Sequence, residues 1–239
     1  HSVQDETDIQ QPWVITHTSD VVCGTVFFVN AADIGLTQLG VVGITNAHCI
    51  EHASSRRCRV MKETVVLGMC RVLWLSPSSE LDFAVLCPEF TYNGATAPIS
   101  KAVLCVGHRV VIKGYPYDSD HCQQSYGSVS GHSDDHWIEC NLASNVGNSG
   151  GPLVSAETQQ VHGIVTQSPA GSESITHAVP MWVVYTALSR WATTESAVLR
   201  LPCIDADLTK LSASMINMLG IECTAEGGFV QRSTSPPVR

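Results

Sequence analysis

Asn145-Val146-Gly147-Asn148-Ser149-Gly150-Gly151-Pro152-Leu153 is the stretch of this chain with the clearest capacity for chemistry. A serine hydroxyl becomes a nucleophile when a base takes its proton and hydrogen-bond donors await the oxyanion that forms. Gly147 and the two glycines after Ser149 let the backbone bend so that the Gly147 and Ser149 amides point into one spot. Pro152-Leu153-Val154 then opens a buried strand that holds the turn rigid. The same residues also describe a plain glycine turn with an incidental serine. The chemical reading therefore depends on a base and an orienting carboxylate elsewhere.

Both are supplied upstream, each at the end of an apolar run. Val41-Val42-Gly43-Ile44-Thr45-Asn46-Ala47-His48-Cys49 is a strand running into a small-residue turn that presents His48. Ser79-Glu80-Leu81-Asp82-Phe83-Ala84-Val85-Leu86 places Asp82 at the mouth of another buried strand, with Glu80 nearer the turn and a poor substitute. The order His48, Asp82, Ser149 is that of chymotrypsin-type enzymes, not of subtilisin or the α/β-hydrolases. T-N-A-H-C, L-D-F-A-V-L and G-N-S-G-G-P-L resemble the three motifs of trypsin-like serine proteases, the last in the style of the HtrA/Deg group. The resemblance runs from about Cys23 to Trp191 and includes Gly114-Tyr115-Pro116 and Thr176-His177-Ala178-Val179-Pro180.

The elements that must position these residues read as β-structure. Val21–Val29 is β-branched and aromatic, and Thr64–Leu75 is strand-rich. Pro88 to Pro98 reads as a linker interrupted by Pro and Gly. Short strands are then expected at Ala102–Val106, Arg109–Lys113, Ser125–Ser130, Trp137–Asn141, Leu153–Ser155, Val161–Thr166 and Ser174–Val179. This spacing suits barrels or a sandwich. The family resemblance implies an all-β, chymotrypsin/trypsin-like fold of two six-stranded antiparallel β-barrels with a C-terminal helix. His48 and Asp82 would come from the first barrel and Ser149 from the second. The expected division is residues 1–12 as an N-terminal extension, 13–97 as the N-terminal barrel, 98–201 as the C-terminal barrel and helix, and 202–239 as a C-terminal extension or truncated PDZ-like start. The helix is read from Pro180 to Leu201, with Val184, Leu188 and Trp191 on one stripe. Leu208, Leu211, Met215 and Met218 suggest another over Asp205 to Leu219.

Composition sets outer limits. A chain of 239 residues with 44% hydrophobic and 15% charged residues has ample material for a core. No apolar run reaches the roughly 18 residues of a membrane-spanning helix, and a net charge of −9 disfavours nucleic acid and anionic membranes as partners. A polypeptide substrate is the expected partner. The resemblance adds a homo-oligomer as an option, although no contact surface is marked. The chain opens on His1 with no leader segment, which predicts either a processed form or a cut-down piece of a longer chain and leaves the compartment unread.

The ten cysteines show no tight disulfide framework. Cys23 and Cys49 stand where trypsin-like chains bracket the catalytic His with a disulfide; HtrA-like chains usually lack it, and free thiols are the expectation here. Cys122, His132, His136 and Cys140 resemble a zinc set. However, Trp137–Cys140 reads as a strand, where four residues span more than about 10 Å. No metal and no cofactor are assigned.

In the implied mechanism His48 is general base and then general acid, Asp82 holds its tautomer, and the Gly147 and Ser149 amides form the oxyanion hole. Asn148 replaces the Asp that pairs with a new N-terminal ammonium in secreted zymogens, so activation by N-terminal insertion is not expected. The specificity pocket is expected from Asn141 to Ser144, from Gly163, Ile164, Val165 and Thr166, and around His177. Ala143 falls where trypsin carries its acidic residue, so a small-to-medium apolar side chain is the expected preference. His177 is either a pocket histidine for acidic or amide side chains or a structural strand residue, with His162 exposed beside it. The resulting expectation is a serine endopeptidase that cuts unfolded or extended polypeptides through an acyl-enzyme. The competing readings are a catalytically silent trypsin-fold binding or scaffold module, and an esterase or acyl transferase on the same triad.

Overall fold

The computed structural model describes residues 13–16, 22–50, 56–62, 65–76, 81–116, 119, 121–133, 137–166, 174–194, 206–210 and 228–233. Twelve strands up to residue 180 close into two barrels. The first contains β1 (Trp13–Thr16), β2 (Val22–Asn30), β3 (Val41–Thr45), β4 (Arg57–Lys62), β5 (Val65–Leu75) and β6 (Ala84–Pro88), in the order β1-β2-β3-β6-β5-β4. The second contains β7 (Arg109–Gly114), β8 (Gln123–His132), β9 (Ile138–Asn141), β10 (Pro152–Ser155), β11 (Val161–Val165) and β12 (Ile175–Pro180), in the order β10-β11-β12-β9-β8-β7. Every pairing within them is antiparallel. Closure leaves no free sheet edge, which accounts for the many short strands.

Each barrel encloses its own core. Val26, Phe28, Val60, Ala84 and Leu86 meet in the first, with Cys58 and Cys70 as small buried hydrophobes. Val110, Ile112, Val129, Ile138, Leu153, Val165 and Ala178 fill the second. β10 and β11 are buried along their full length, so they show no polar–apolar alternation, and even their polar members Ser155 and His162 lie inside.

The linker is well anchored. Tyr92 stacks on Phe28 with ring centroids 4.3 Å apart, the Ala97 amide donates to the Phe28 carbonyl at 2.8 Å, and Ile99 bridges to Val161 beside β11.

Helix α1 (Met181–Thr194) follows β12 directly and buries Met181, Val184, Ala187 and Leu188, a stripe at helical spacing. Its Ser189 lies against Gly35, which ends a short 3-10 turn (Ala31–Ile34) with φ +89°. No helix among the described residues is long and apolar enough to cross a membrane.

Two local expectations are overturned. Ala102–Val106 is not a strand; Val103 and Val106 are exposed, and Gly107 at φ +87° turns the chain into β7. Residues 206–210 are not helical: β13 (Ala206–Lys210) pairs with β14 (Gly228–Ser233), with Leu208 opposite Val230. A distant partner strand outweighs local 3.6-residue periodicity there. This hairpin lies in a unit of its own, Val198–Arg239. The remainder of the expected helix, 211–219, lies outside the described residues, as do the extension 1–12 and Glu80.

Candidate functional site

Asp82 occupies the entrance to β6 with its backbone at φ +36°. That left-handed conformation costs a non-glycine residue on the order of 1–3 kcal/mol, so its surroundings must enforce it. Asn46 Nδ2 donates to the Asp82 carbonyl at 2.7 Å. The Phe83 amide donates to Ser76 Oγ at 2.9 Å, and the Ser76 amide to the Phe83 carbonyl at 3.1 Å. Asn46 is fully buried and its Oδ1 finds no partner. An orphaned acceptor of this kind costs about 1–3 kcal/mol and calls for an explanation. Its amide is committed to holding the Asp82 backbone.

In this conformation the carboxylate faces the turn that follows β3. Asp82 Oδ1 accepts from the His48 amide at 3.1 Å, and His48 Nδ1 stands 2.8 Å from Oδ2 and 3.0 Å from Oδ1. From the second barrel, Thr166 Oγ1 donates to Oδ2 at 2.5 Å. A carboxylate only accepts, so Nδ1 carries the proton and Nε2 is the basic nitrogen. Asp82 is nearly buried, whereas the His48 side chain keeps a quarter of its surface exposed (25%). Burial of His48 works against a charged imidazolium. The hydrogen bond to Asp82, the adjacent Cys49 sulfur and the Asp82 charge outweigh that effect, and the imidazole pKa is pushed up to about 10.

Ser149 reaches the same place from the second barrel. Its carbonyl accepts from the Thr25 amide of β2 at 2.8 Å and from the Cys49 thiol, the residue after His48, at 3.7 Å. Cys49 is therefore a free, buried thiol; the Cys23 side chain lies outside the described residues. The Ser149 hydroxyl and the His48 ring are not hydrogen-bonded to each other.

The amides around Ser149 divide into two sets. Asn148 N donates to Asn145 O at 3.0 Å, Gly150 N to Val165 O at 2.9 Å and Gly151 N to Asn148 O at 2.9 Å. The Gly147 and Ser149 amides donate to no acceptor among the described residues. Gly147 holds φ +99° and Gly150 φ +85°; a Cβ would run into the Tyr115 carbonyl at the first and into the Thr25 carbonyl and Thr45 hydroxyl at the second. Among the described residues the loop thus leaves two unspent N–H groups on either side of the Asn148 amide.

The remaining expected residues fall in different places. Ala143 is exposed beside buried Leu142, whose carbonyl accepts from Thr176 Oγ1 at 2.8 Å. Gly163 lies within β11, paired with Leu153 and Pro180. Ile164 and Val165 have no exposed surface (0% each), and Val165 meets the Ser149 loop through its backbone. His177 faces β9: Nε2 is 3.6 Å from Glu139 Oε1, the ring stands edge-on to Trp137 at 5.1 Å, and Nδ1 is buried without a partner. His162 is buried rather than exposed; Nδ1 contacts the Ala102 carbonyl at 3.0 Å, and burial lowers its pKa.

Of the zinc-like set, Cys140 lies in the second core, where burial pushes its thiol up to about 12. His132 Nε2 contacts the Leu104 carbonyl at 2.8 Å, and His136 lies outside the described residues. Among the described residues no three His, Cys, Asp or Glu side chains are grouped to hold a metal ion.

Three polar contributors carried no assigned site role in the sequence reading: Asn46, Thr166 as a donor to Asp82, and Thr25. Asn46 carried a signal, as a polar residue within an otherwise small, apolar turn. Thr25 carried none, because it meets Gly147 from 122 positions away.

A model of the trypsin-like peptidase domain matches residues 24–164. Among solved structures, the serine endoprotease from Yersinia pestis aligns with TM-score 0.63 at 21% identity, covering 78% of this chain and 64% of that one. The HtrA-type protease AlgW with decapeptide aligns with TM-score 0.62 at 20% identity, covering 89% and 63%. A variant of AlgW with tripeptide aligns with TM-score 0.66 at 20% identity, covering 94% and 73%. This chain therefore spans under two thirds of the first two of these relatives. No curated protein sequence matches it.

Proposed function

The chain belongs to the trypsin-like peptidase domain family, and from that premise we propose that it is a serine endopeptidase acting on unfolded or extended polypeptides. The observation that carries this reading is the His48–Asp82 contact at 2.8 Å facing a loop whose Gly147 and Ser149 amides are unspent. In the proposed cycle His48 Nε2 takes the Ser149 proton as Oγ attacks the scissile carbonyl. The carbonyl oxygen, now negative, enters the Gly147/Ser149 amides. His48 returns the proton to the leaving amine, and water then releases the acyl group by the same steps. Asp82 keeps the proton on Nδ1 and faces the transient imidazolium. The Ser149–His48 hydrogen bond this requires tightens in the substrate complex, as is common in unliganded sites.

A polypeptide substrate is in keeping with the decapeptide and the tripeptide that accompany the AlgW structures. Ala143 offers no charge for a basic side chain, so a small-to-medium apolar residue is proposed before the cut. The pocket is proposed to use the Ala143 region and the end of β11, with His177 on its outer side.

A fluorophosphonate probe is expected to label Ser149 and to fail on His48→Ala, which separates an active hydrolase from a silent binding module. Denatured casein is expected to be cut by the native chain and not by Ser149→Ala; an esterase would leave it intact. Unchanged casein cleavage by Ser149→Ala would overturn the proposal.

A further inference from the structure

We propose that Thr25 is a positioning residue that sets the oxyanion loop from the opposite barrel. The inference rests on the serine-peptidase reading above and assigns a determinant of that site. Thr25 lies on β2, fully buried, and every polar group it carries is committed to the site's framework. Its amide donates to the Ser149 carbonyl at 2.8 Å. Its carbonyl accepts from Thr45 Oγ1 at 2.8 Å, three residues before His48. Its hydroxyl accepts from the Tyr115 amide at 3.3 Å and contacts the Gly147 carbonyl at 2.7 Å. An amide can only donate and a carbonyl can only accept, so the single hydroxyl proton points at Gly147.

Thr25 therefore grips the carbonyls of Gly147 and Ser149, the two residues whose amides are unspent. The Gly147 carbonyl belongs to the peptide whose N–H is that of Asn148, itself held on the Asn145 carbonyl, so the grip fixes that peptide plane and, through the Gly147 Cα, seats the neighbouring peptide that carries the unspent Gly147 N–H. The grip matters most at Gly147. Gly147 sits at φ +99° against the Tyr115 carbonyl with no Cβ of its own to fix its backbone, and the preceding Val146 is 80% exposed and gives no packing on the outer side. Gly150 presses against the Thr25 carbonyl, so the loop is seated on β2 at both ends of the Asn148–Ser149 segment. A hydroxyl at this position does what a hydrophobic β-strand residue of the same shape could not: it holds the Gly147 carbonyl, and so anchors the peptide next to the unspent Gly147 amide.

The test compares Thr25→Ser, Thr25→Cys and Thr25→Val in the full chain. Turnover of a peptide substrate is counted per active site titrated to completion with a fluorophosphonate, so that unfolded protein does not enter. Losing one direct oxyanion donor costs about 10²–10³-fold in kcat. Loosening such donors is expected to cost about 10–100-fold in Thr25→Val, with KM within about 3-fold and a matching loss of affinity for a peptide boronic acid. Thr25→Ser is expected to stay within about 3-fold of native, and Thr25→Cys, a weaker donor, to fall between. The pH profile of kcat/KM should not move, because the His48–Asp82 contact is untouched. A merely structural residue would lower the melting temperature and leave turnover per titrated site unchanged. That outcome overturns the proposal, as does equal turnover of the Ser and Cys variants should Thr25→Val not fold. Ser149→Ala is run alongside. If turnover depends on Ser149 but not on the Thr25 hydroxyl, the Thr25 role alone falls. If turnover is missing from the native chain or survives Ser149→Ala, both readings fall.

Discussion

Replacing Asp82 by Asn isolates the electrostatic half of the site. The mutation keeps shape and removes one charge that stands 2.8 Å from His48 Nδ1. Coulomb attraction at that distance amounts to about 6 kcal/mol at an effective dielectric of about 20. Water reaching the quarter-exposed ring (25%) reduces this to about half. Divided by 1.36 kcal/mol per pH unit, the Asp82 contribution is about 2–4 pH units. It acts upward, against a burial effect that acts downward. The native imidazole should therefore titrate well above its usual 6.5, toward about 10. In Asp82→Asn the charge and its hydrogen bond are lost, only the Cys49 sulfur still opposes burial, and the value should fall. Base catalysis needs neutral His48, so native kcat/KM should climb with pH through an inflection above 6.5. The mutant inflection should move down while the rate drops by about 10³–10⁴-fold, since the Asn amide favours the wrong tautomer. Stability has a definite sign as well. A raised folded pKa stabilises fully below about 6.5, and that stabilisation is lost as pH rises toward about 10. The melting temperature of native protein, but not of the mutant, should fall across that window. The assay is NMR titration of the His48 ring together with kcat/KM and thermal melts over the same range. A native His48 titrating at or below 6.5, or one that does not fall in Asp82→Asn, refutes the reasoning.

Two further substitutions probe the scaffold around the same groups. Gly150→Ala should lose both activity and more than about 3 kcal/mol of stability, because its Cβ would strike the Thr25 carbonyl and the Thr45 hydroxyl. Gly107→Ala is the matched control: φ +87° against +85°, with nothing within 4 Å of the added Cβ. It should cost only the left-handed backbone penalty, about 1–2 kcal/mol, with activity kept; equal denaturant midpoints for the pair would dispose of the steric argument. Thr166→Val removes a buried donor to a carboxylate, worth about 1.5–3 kcal/mol. Thermal melting should register this as a loss of several degrees, with reduced kcat/KM, and Thr166→Ser should recover both. A Val variant indistinguishable from native would mean that the contact contributes nothing.

The parts of the fold and site that were legible are those written in contiguous residues. T-N-A-H-C, L-D-F-A-V-L and G-N-S-G-G-P-L each pack a strand end, a turn and a functional side chain into a few positions, so local chemistry and local geometry are read together. The two barrels came from resemblance, since alternation and turn spacing suit a sandwich equally well. Ala102–Val106 misled because five apolar residues in a row look like a strand, although only Leu104 is buried and its neighbours face solvent. Residues 206–210 misled in the opposite sense, their pairing with Gly228–Ser233 being invisible to any short window. His162 was expected outside because histidine is polar. The Ala102 carbonyl supplies the partner that lets it sit inside, and that partner is 60 residues away.

What no window could hold is the way each barrel completes the other's part of the site. Asp82 belongs to the first barrel, yet one of the three donors to its carboxylate, Thr166, comes from the second. Ser149 belongs to the second barrel, yet its carbonyl is held by Thr25 and Cys49 of the first. The strained backbone at Asp82 and the half-satisfied amide of Asn46 are costs that neither barrel needs in order to close its own sheet. They make sense only if the carboxylate must meet His48 and Thr166 at once. Strain of this kind persists where its surroundings over-determine it, and here the surroundings include both barrels. The junction of the two barrels is therefore more than the meeting of two finished sheets. It is where the second barrel supplies the Thr166 contact to the first barrel's Asp82, and the first supplies the donors that hold the Gly147 and Ser149 carbonyls of the second.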